Sequence, residues 1–307
     1  MDIQGKLVFS SGRAGDYDIW SLDLFTQQLL QLTSGSHWND CPKWSPDGKK
    51  IMFISNRTNT PEIWLMDEDG SNQTRITNTG RWHNTPDWSA DGKRIVFCAN
   101  YDGNVNIHTM NIDGSGLIKI TDYPGMDFAP QFSPDGGQIV FTSQRSGNDD
   151  IWTYDLKTQE FRQLTTYEEK DFSPAFSPDG SLIAFVSGQV ELGNEENSEI
   201  YIMDKSGGDR RRAVGNLGTG RYVAWSPDGN FLIYTSSSQK SATETMMVLE
   251  LEKMMSSRVD FDRSSLEGEI ESEPKLSGIL KLLPKGIIRK FYSDENSGVE
   301  RHPDWKF

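Results

Sequence analysis

Short apolar runs recur along this chain, each with its apolar side chains two residues apart and each preceded by the same kind of turn. KKIMF (49–53), KRIVF (93–97), GQIVF (137–141), SLIAF (181–185) and NFLIY (230–234) have the period-2 pattern of strands. The turns ahead of them read SPDG, SADG, SPDG, SPDG and SPDG. Pro pre-sets the backbone angle, Asp bonds locally to the backbone and Gly accepts positive φ. An aromatic residue stands before each turn: Trp44, Trp88, Phe132, Phe176 and Trp225. A sixth, Trp305, lies at the C-terminus with no turn after it.

The turn aspartates Asp47, Asp91, Asp135, Asp179 and Asp228 are spaced 44, 44, 44 and 49 apart. A fixed period of this size marks a repeat architecture, usually propeller blades. Residues 130–166 show what one period contains. PQFS, QIVFTS, IWTYDL and FRQLTT read as strands, separated by PDGG, QRSGNDD and KTQE. Four antiparallel strands on short connections make one blade. Register picks out the core: Ile51, Ile95, Ile139, Ile183 and Leu232 with Phe53, Phe97, Phe141, Phe185 and Tyr234 on the second strand, and Ile19, Ile63, Ile107, Ile151 and Ile200 on the third. The tryptophans locked to the repeat, among them Trp20, Trp64 and Trp152, read as packing residues rather than a sugar platform.

The chain starts in mid-repeat. Leu7 and Phe9 fall 44 before Ile51 and Phe53, but the first strand of that repeat is missing. HPDWKF (302–307) supplies it, matching TPDW before the turn at Asp91. The expected fold is therefore all-β, a six-bladed β-propeller formed by residues 1–307 as one domain. Pairing of the C-terminal strand with the N-terminal blade closes it and removes the open edges. The period breaks once, in a charged and serine-rich insertion at 252–286 within the sixth blade, after which IIRKFY supplies a fourth strand.

Composition narrows the function classes. The formal charge of −14 disfavours nucleic acid as a partner. No apolar run approaches the length of a membrane span, so membrane insertion is not expected. The N-terminus reads directly into a strand without a leader pattern. Periplasmic or extracellular residence would follow if an export signal had been removed, and cytoplasmic residence otherwise. Two cysteines, Cys41 and Cys98, read as buried thiols rather than a disulfide framework.

The turn blocks, together with DIW and EIW in the third strands and RQLT and TRIT in the fourth, closely resemble the WD40-like repeats of TolB-like β-propellers. The same repeats occur in the propellers of prolyl oligopeptidase relatives and tricorn-like proteases. The resemblance covers about 85% of the sequence. It implies a protein-interaction module, in the family's case a periplasmic one that follows a smaller N-terminal domain, for which this sequence has no counterpart. No Gly-x-Ser-x-Gly elbow of a hydrolase partner domain occurs either.

In a propeller the loops from strand four to the next strand one share a face with those joining strands two and three, at one mouth of the channel. The turn blocks lie on the opposite face. Just before the first strands stand Asn39 and Asp40, His83 and Asn84, Asp127, Asp171, Arg221, and Glu300 with Arg301. This ring of polar, largely acidic residues around one opening is the expected ligand-binding site. His37, His83 and His302 lie in or beside successive mouth loops, and with Asp40 they could ligate a transition metal. The repeats also resemble those of oligogalacturonate lyases, which hold a catalytic metal with histidines near the channel. Arg13, Arg57 and Arg145 recur in the loops between strands two and three, and each is expected to pair with the acidic residue ahead of the third strand: Asp18, Glu62 or Asp150. Three readings follow. The leading one is a non-catalytic propeller, without cofactor, binding a protein or peptide at an acidic mouth. The second is a metal-dependent carbohydrate-active enzyme with an oligosaccharide ligand, and the third a structural module of a larger assembly.

Overall fold

A computed structural model describes residues 5–188, 198–215, 221–237, 244–251, 288–291 and 300–306. The alternating runs form six four-stranded antiparallel sheets. The first contains β1 (Lys6–Ser11), β2 (Asp18–Asp23) and β3 (Leu29–Gln31), and the second β4 (Asn39–Trp44), β5 (Lys50–Ser55), β6 (Glu62–Asp67) and β7 (Thr74–Arg75). The third holds β8 (Trp82–Trp88), β9 (Arg94–Asn100), β10 (Val105–Asn111) and β11 (Ile118–Lys119). The fourth holds β12 (Asp127–Phe132), β13 (Gln138–Ser143), β14 (Asp150–Asp155) and β15 (Phe161–Gln163). The fifth holds β16 (Lys170–Phe176), β17 (Leu182–Gly188), β18 (Glu199–Asp204) and β19 (Arg211–Val214). The sixth holds β20 (Val223–Trp225), β21 (Phe231–Ser237), β22 (Glu244–Glu250) and β23 (Ile288–Phe291). The last strand, β24 (Glu300–Lys306), returns to the first sheet and pairs with β1, Leu7 opposite Trp305 and Lys6 opposite Lys306. The expected six-bladed ring and its closure by the C-terminal strand are both present. The insertion at 252–286 lies outside the described residues.

Each turn block builds the same small structure. In the second blade Ser45 Oγ donates to Asp47 Oδ1 at 2.7 Å and accepts the backbone N–H of Lys50 at 2.9 Å. The glycine that follows Asp has φ near 70° in all five blocks, 67° at Gly48 and 70° at Gly136. One hydroxyl and one carboxylate thus hold a turn that only glycine completes without strain.

The blades are stapled internally by a second repeat. Thr33, Thr77, Thr121 and Thr165, on the connection leaving the fourth strand, each accept a third-strand isoleucine N–H through Oγ1 at 2.9 Å. The register residues are the core as expected. Phe53, Phe97, Phe141 and Phe185 are fully buried, and the first-strand aromatics Trp44, Trp88, Phe132, Phe176, Trp225 and Trp305 are nearly so. Cys41 and Cys98 are free, buried thiols.

Candidate functional site

The first strands of the blades line a channel. Its wall combines Cys41 and Lys43, Thr85–Asp87, Ala129–Gln131, Ser173–Ala175, Tyr222 and Val223, and Pro303, around a space of about 80 Å³.

Each of β4, β8, β12 and β16 is bulged just below the mouth. The residue ahead of the strand's proline is left-handed there: Cys41 (φ 53°), Thr85 (44°), Ala129 (49°) and Ser173 (52°). A left-handed non-glycine residue costs about 1–2 kcal/mol, and two of the expected site residues help to hold it. Asp40 Oδ1 accepts the N–H of Cys41 at 2.8 Å and the hydroxyl of Ser10 at 2.6 Å. Asn84 Oδ1 accepts the N–H of Thr85 at 2.8 Å and the thiol of Cys41 at 2.9 Å.

The other mouth residues correct the expectation of a solvent-facing acidic ring. Asn39, His83, Asp127 and Asp171 are all completely buried. The reason is topological. The start of each first strand is tied to the preceding blade, with the N–H groups of Asn39, His83 and Asp171 donating to the carbonyls of Tyr17, Pro61 and Asp149. Asn39 Nδ2 donates to Asp18 Oδ1 at 3.0 Å. His83 Nδ1 lies 3.1 Å from the Pro61 carbonyl, which can only accept, so Nδ1 carries the proton and Nε2 accepts from the Tyr101 hydroxyl at 2.9 Å. Burial outweighs the neighbouring Glu62 carboxylate and lowers the His83 pKa, so the ring is neutral.

The loop arginines also differ from expectation. Rather than bracing Glu62 or Asp150, Arg57 and Arg145 reach the start of their own first strand. Arg57 Nη2 donates to Asn39 Oδ1 at 2.9 Å, and Arg145 Nη2 lies 3.1 Å from Asp127 Oδ2. Their guanidinium groups lie over Trp64 and Trp152, 4.6 and 5.0 Å from the ring centroids, and Arg13 lies 5.1 Å from that of Trp20. The tryptophans expected to be plain packing are thus half-buried platforms for cations. Asp150 is served by hydroxyl and amide groups instead, with Thr165 Oγ1 at 3.2 Å and Gln163 Nε2 at 3.1 Å.

Two of the blades without a loop arginine fill its place differently. In the third, Tyr101 takes the position and makes an aromatic cluster with His83 and His108. In the fifth, Arg210 comes from the approach to the fourth strand and lies over Tyr201 and Tyr167, 4.0 and 3.7 Å from their centroids. It sits 3.6 Å from Asp171 Oδ1. Burial nevertheless pushes the Asp171 carboxyl up to about 6, against the pull of Ser187 and Arg210.

Lower in the channel, Lys43 Nζ lies 3.6 Å from Asp304 Oδ1, the two side chains being 25% and 19% exposed. Burial pushes Asp87 up to about 6, with Lys43 acting against it and Asp304 with it. Burial works against the Lys43 ammonium too, but Asp304 and Asp87 outweigh it and hold its pKa above the ordinary value. These residues stand one place ahead of the first-strand aromatics, so their spacing was visible in the turn blocks.

The proposed metal set is not assembled among the described residues, where no group of three or more His, Cys, Asp and Glu is placed to hold an ion. His83 is fully engaged, Asp40 holds a bulge and His37 is half-buried. The backbones of Glu300 and Arg301 pair with Ser11 and Ser10, but the side chains of Glu300, Arg301 and His302 lie outside the described residues. Arg221 is exposed, its N–H donating to Thr235 Oγ1 at 3.2 Å.

Sequence reasoning passed over the exposed side chains of the mouth loops. Trp82, Tyr123, Met126 and Tyr167 are 36–49% exposed, Trp82 at the first residue of β8 and the others on the connections leading into β12 and β16. Tyr123 and Tyr167 are 44 residues apart, one full period, which was the signal available in the sequence.

The architecture recurs in known proteins. TolB from Acinetobacter baumannii superposes with a TM-score of 0.76 at 22% identity, over 99% of this chain and 67% of that one. A putative TolB from Agrobacterium tumefaciens gives 0.52 at 22% identity, over 74% and 95%. An oligogalacturonate lyase in complex with manganese gives 0.58 at 16% identity, over 81% and 72%. At these identities the likeness is one of fold. No curated protein sequence matches the chain. The sequence profile of the TolB beta propeller domain, however, matches residues 4–122 and 117–258. The repeats, the six blades and this match together establish that the chain belongs to the TolB beta propeller domain family.

Proposed function

We propose that this propeller is a non-catalytic module that binds a protein or peptide across its channel-mouth face. One observation carries the reading: the mouth loops of neighbouring blades expose Trp82, Tyr123, Met126 and Tyr167, while the carboxylates behind them are buried in structural pairs. Exposed aromatics on loops held by a rigid scaffold are a common make-up of recognition surfaces. Of the mouth ring, Asn39, His83, Asp127 and Asp171 serve in this reading as the frame that fixes the loops. Asp40 and Asn84 shape the bulged rim, and Arg221, Glu300 and Arg301 are contact residues by their place in the sequence. The acidity that a partner meets comes from exposed carboxylates such as Asp122, Glu168 and Glu169 rather than from the buried ones.

The test is solvent protection. Hydrogen exchange with and without a candidate partner domain should protect 79–85, 122–127 and 166–171 together and leave the turn blocks unchanged. Protection confined to the turn-block face would refute the assignment. The lyase-like alternative predicts stoichiometric metal in protein purified without a histidine tag, and the engagement of His83 and Asp40 argues against that set of ligands.

A further inference from the structure

Three successive blade junctions carry an exposed aromatic ring at the mouth: Trp82 between the second and third blades, Tyr123 between the third and fourth, and Tyr167 between the fourth and fifth. The loops that bear the two tyrosines are clamped. Asn104 Nδ2 donates to the carbonyls of Tyr123 and Gly125, the latter at 3.1 Å. Asn148, one period later, donates to the carbonyls of Tyr167, Glu168 and Glu169 at 3.3, 3.2 and 2.8 Å. Rings held on a fixed backbone lose little freedom on binding, which favours recognition.

Each tyrosine already meets a cation from within the fold. Arg145 lies 5.9 Å from the Tyr123 centroid, and Arg210 lies 3.7 Å from that of Tyr167. Both guanidinium groups are largely buried, each with its own carboxylate partner, Asp127 or Asp171. Around the two tyrosines exposed carboxylates gather, while the exposed Arg81 adjoins Trp82. The Asp122 side chain is 85% exposed although Lys119 Nζ lies 2.5 Å from its Oδ1, Glu168 and Glu169 are exposed, and no cation among the described residues pairs with either glutamate. Aromatic faces beside exposed carboxylates suit a side chain that stacks and carries positive charge.

We infer that the arc of Trp82, Tyr123 and Tyr167, rimmed by Asp122, Glu168 and Glu169, receives a basic peptide segment whose Lys or Arg side chains stack on the rings and pair with the carboxylates. The inference rests on the protein- or peptide-binding reading above and adds the chemistry of the partner. A neutral apolar peptide would leave the carboxylates desolvated at the rim. An acidic one would meet like charge on a chain of net charge −14.

The experiment is selection of a random dodecapeptide display library on the immobilised full chain, repeated on two surface variants: Trp82→Ser/Tyr123→Ser/Tyr167→Ser and Asp122→Asn/Glu168→Gln/Glu169→Gln. Parallel melting curves check that both variants are folded. The expected result is enrichment of Lys- and Arg-rich peptides on the parent, with affinity at least tenfold weaker on both variants. Peptides without positive charge, lost only on the aromatic variant, would overturn the basic chemistry while keeping the binding face. Basic peptides that bind the aromatic variant as well as the parent would overturn the arc. Retention of oligosaccharides in place of peptides would overturn the choice of occupant. Recovery of no peptide at all would remove the underlying reading as well.

Discussion

The carboxylate of Asp304 accepts the backbone N–H of Trp44 at 2.6 Å, so the last strand of the chain is bonded across to the second blade as well as to β1. Lys43 adds an ion pair to the same carboxylate, and two residues on, at the end of the strand, Lys306 Nζ reaches Glu68 at 2.8 Å. Ring closure is therefore a junction of three elements rather than one strand pairing.

Asp304→Ala should destabilise the protein by about 3 kcal/mol, because it leaves the Lys43 ammonium and the Trp44 N–H without partners inside the wall. Deleting 302–307 should cost more. Denaturant unfolding measures both, and an unchanged midpoint in the deletion variant would contradict closure by this strand.

The two buried mouth aspartates should respond differently to the same change. Asp127→Asn removes the charge facing Arg145, whose side chain is only 12% exposed, and should cost about 3 kcal/mol at neutral pH. Asp171 differs because burial raises its folded pKa from 3.8 to about 6. Stability held by the protonated carboxyl is present below pH 4 and lost as pH rises through 6. Relative to parent, Asp171→Asn should therefore look better at pH 7.5 than at pH 5, by about 1.4 kcal/mol for one unit of titration. Paired unfolding curves at the two pH values check this, and a difference independent of pH would refute the buried-acid assignment.

These two residues also show how far the sequence could be read. Period, strand order, core register and closure were all legible, because turn chemistry and two-residue alternation repeat 44 residues apart. Asp127 and Asp171 were recognisable as equivalent positions, but their burial was not. It depends on which side chain the same blade supplies to that place, and that varies between Arg145, Arg210 and Tyr101. Arg210 was invisible as a substitute because it reaches the same place from a different strand. The exposed tyrosines were hidden by the opposite problem, since repeat-locked aromatics in such a chain are mostly core.

His108 takes the third-strand place held by Trp64 and Trp152 in other blades, and burial pushes its pKa down to about 4. The folded value lies below the ordinary 6.5, so its contribution is present above pH 6.5 and is lost as pH falls towards 4. His108→Phe keeps the stack on Phe97 and removes the titration. The variant should lose less stability than parent between pH 6.5 and 5, by about 2 kcal/mol. Parallel acid limbs for the two proteins would contradict a neutral buried ring.

Glycine should matter unequally in the two kinds of turn. At Gly136, φ is 70° and an added Cβ meets nothing within 4 Å, so Gly136→Ala should cost about 1–2 kcal/mol of backbone strain alone. At Gly207, φ is 85° and the Cβ would lie 2.8 Å from the Leu164 carbonyl oxygen, so Gly207→Ala adds a backbone clash to the strain. Thermal unfolding should rank Gly207→Ala clearly below Gly136→Ala, and equal melting temperatures would refute the distinction.

The central claim is that the mouth loops recognise a partner while the buried carboxylates behind them hold the frame. Its most direct test is the dissociation constant of one peptide selected on the parent, measured by fluorescence anisotropy alongside melting temperature, for Trp82→Ser/Tyr167→Ser and for Asp127→Asn. The account predicts that the aromatic variant melts with the parent but binds at least tenfold more weakly, about 1.4 kcal/mol. It also predicts that Asp127→Asn melts lower yet binds within about threefold of parent while folded, under 0.7 kcal/mol. Full binding by the aromatic variant, together with lost binding in a stably folded Asp127→Asn protein, would contradict it.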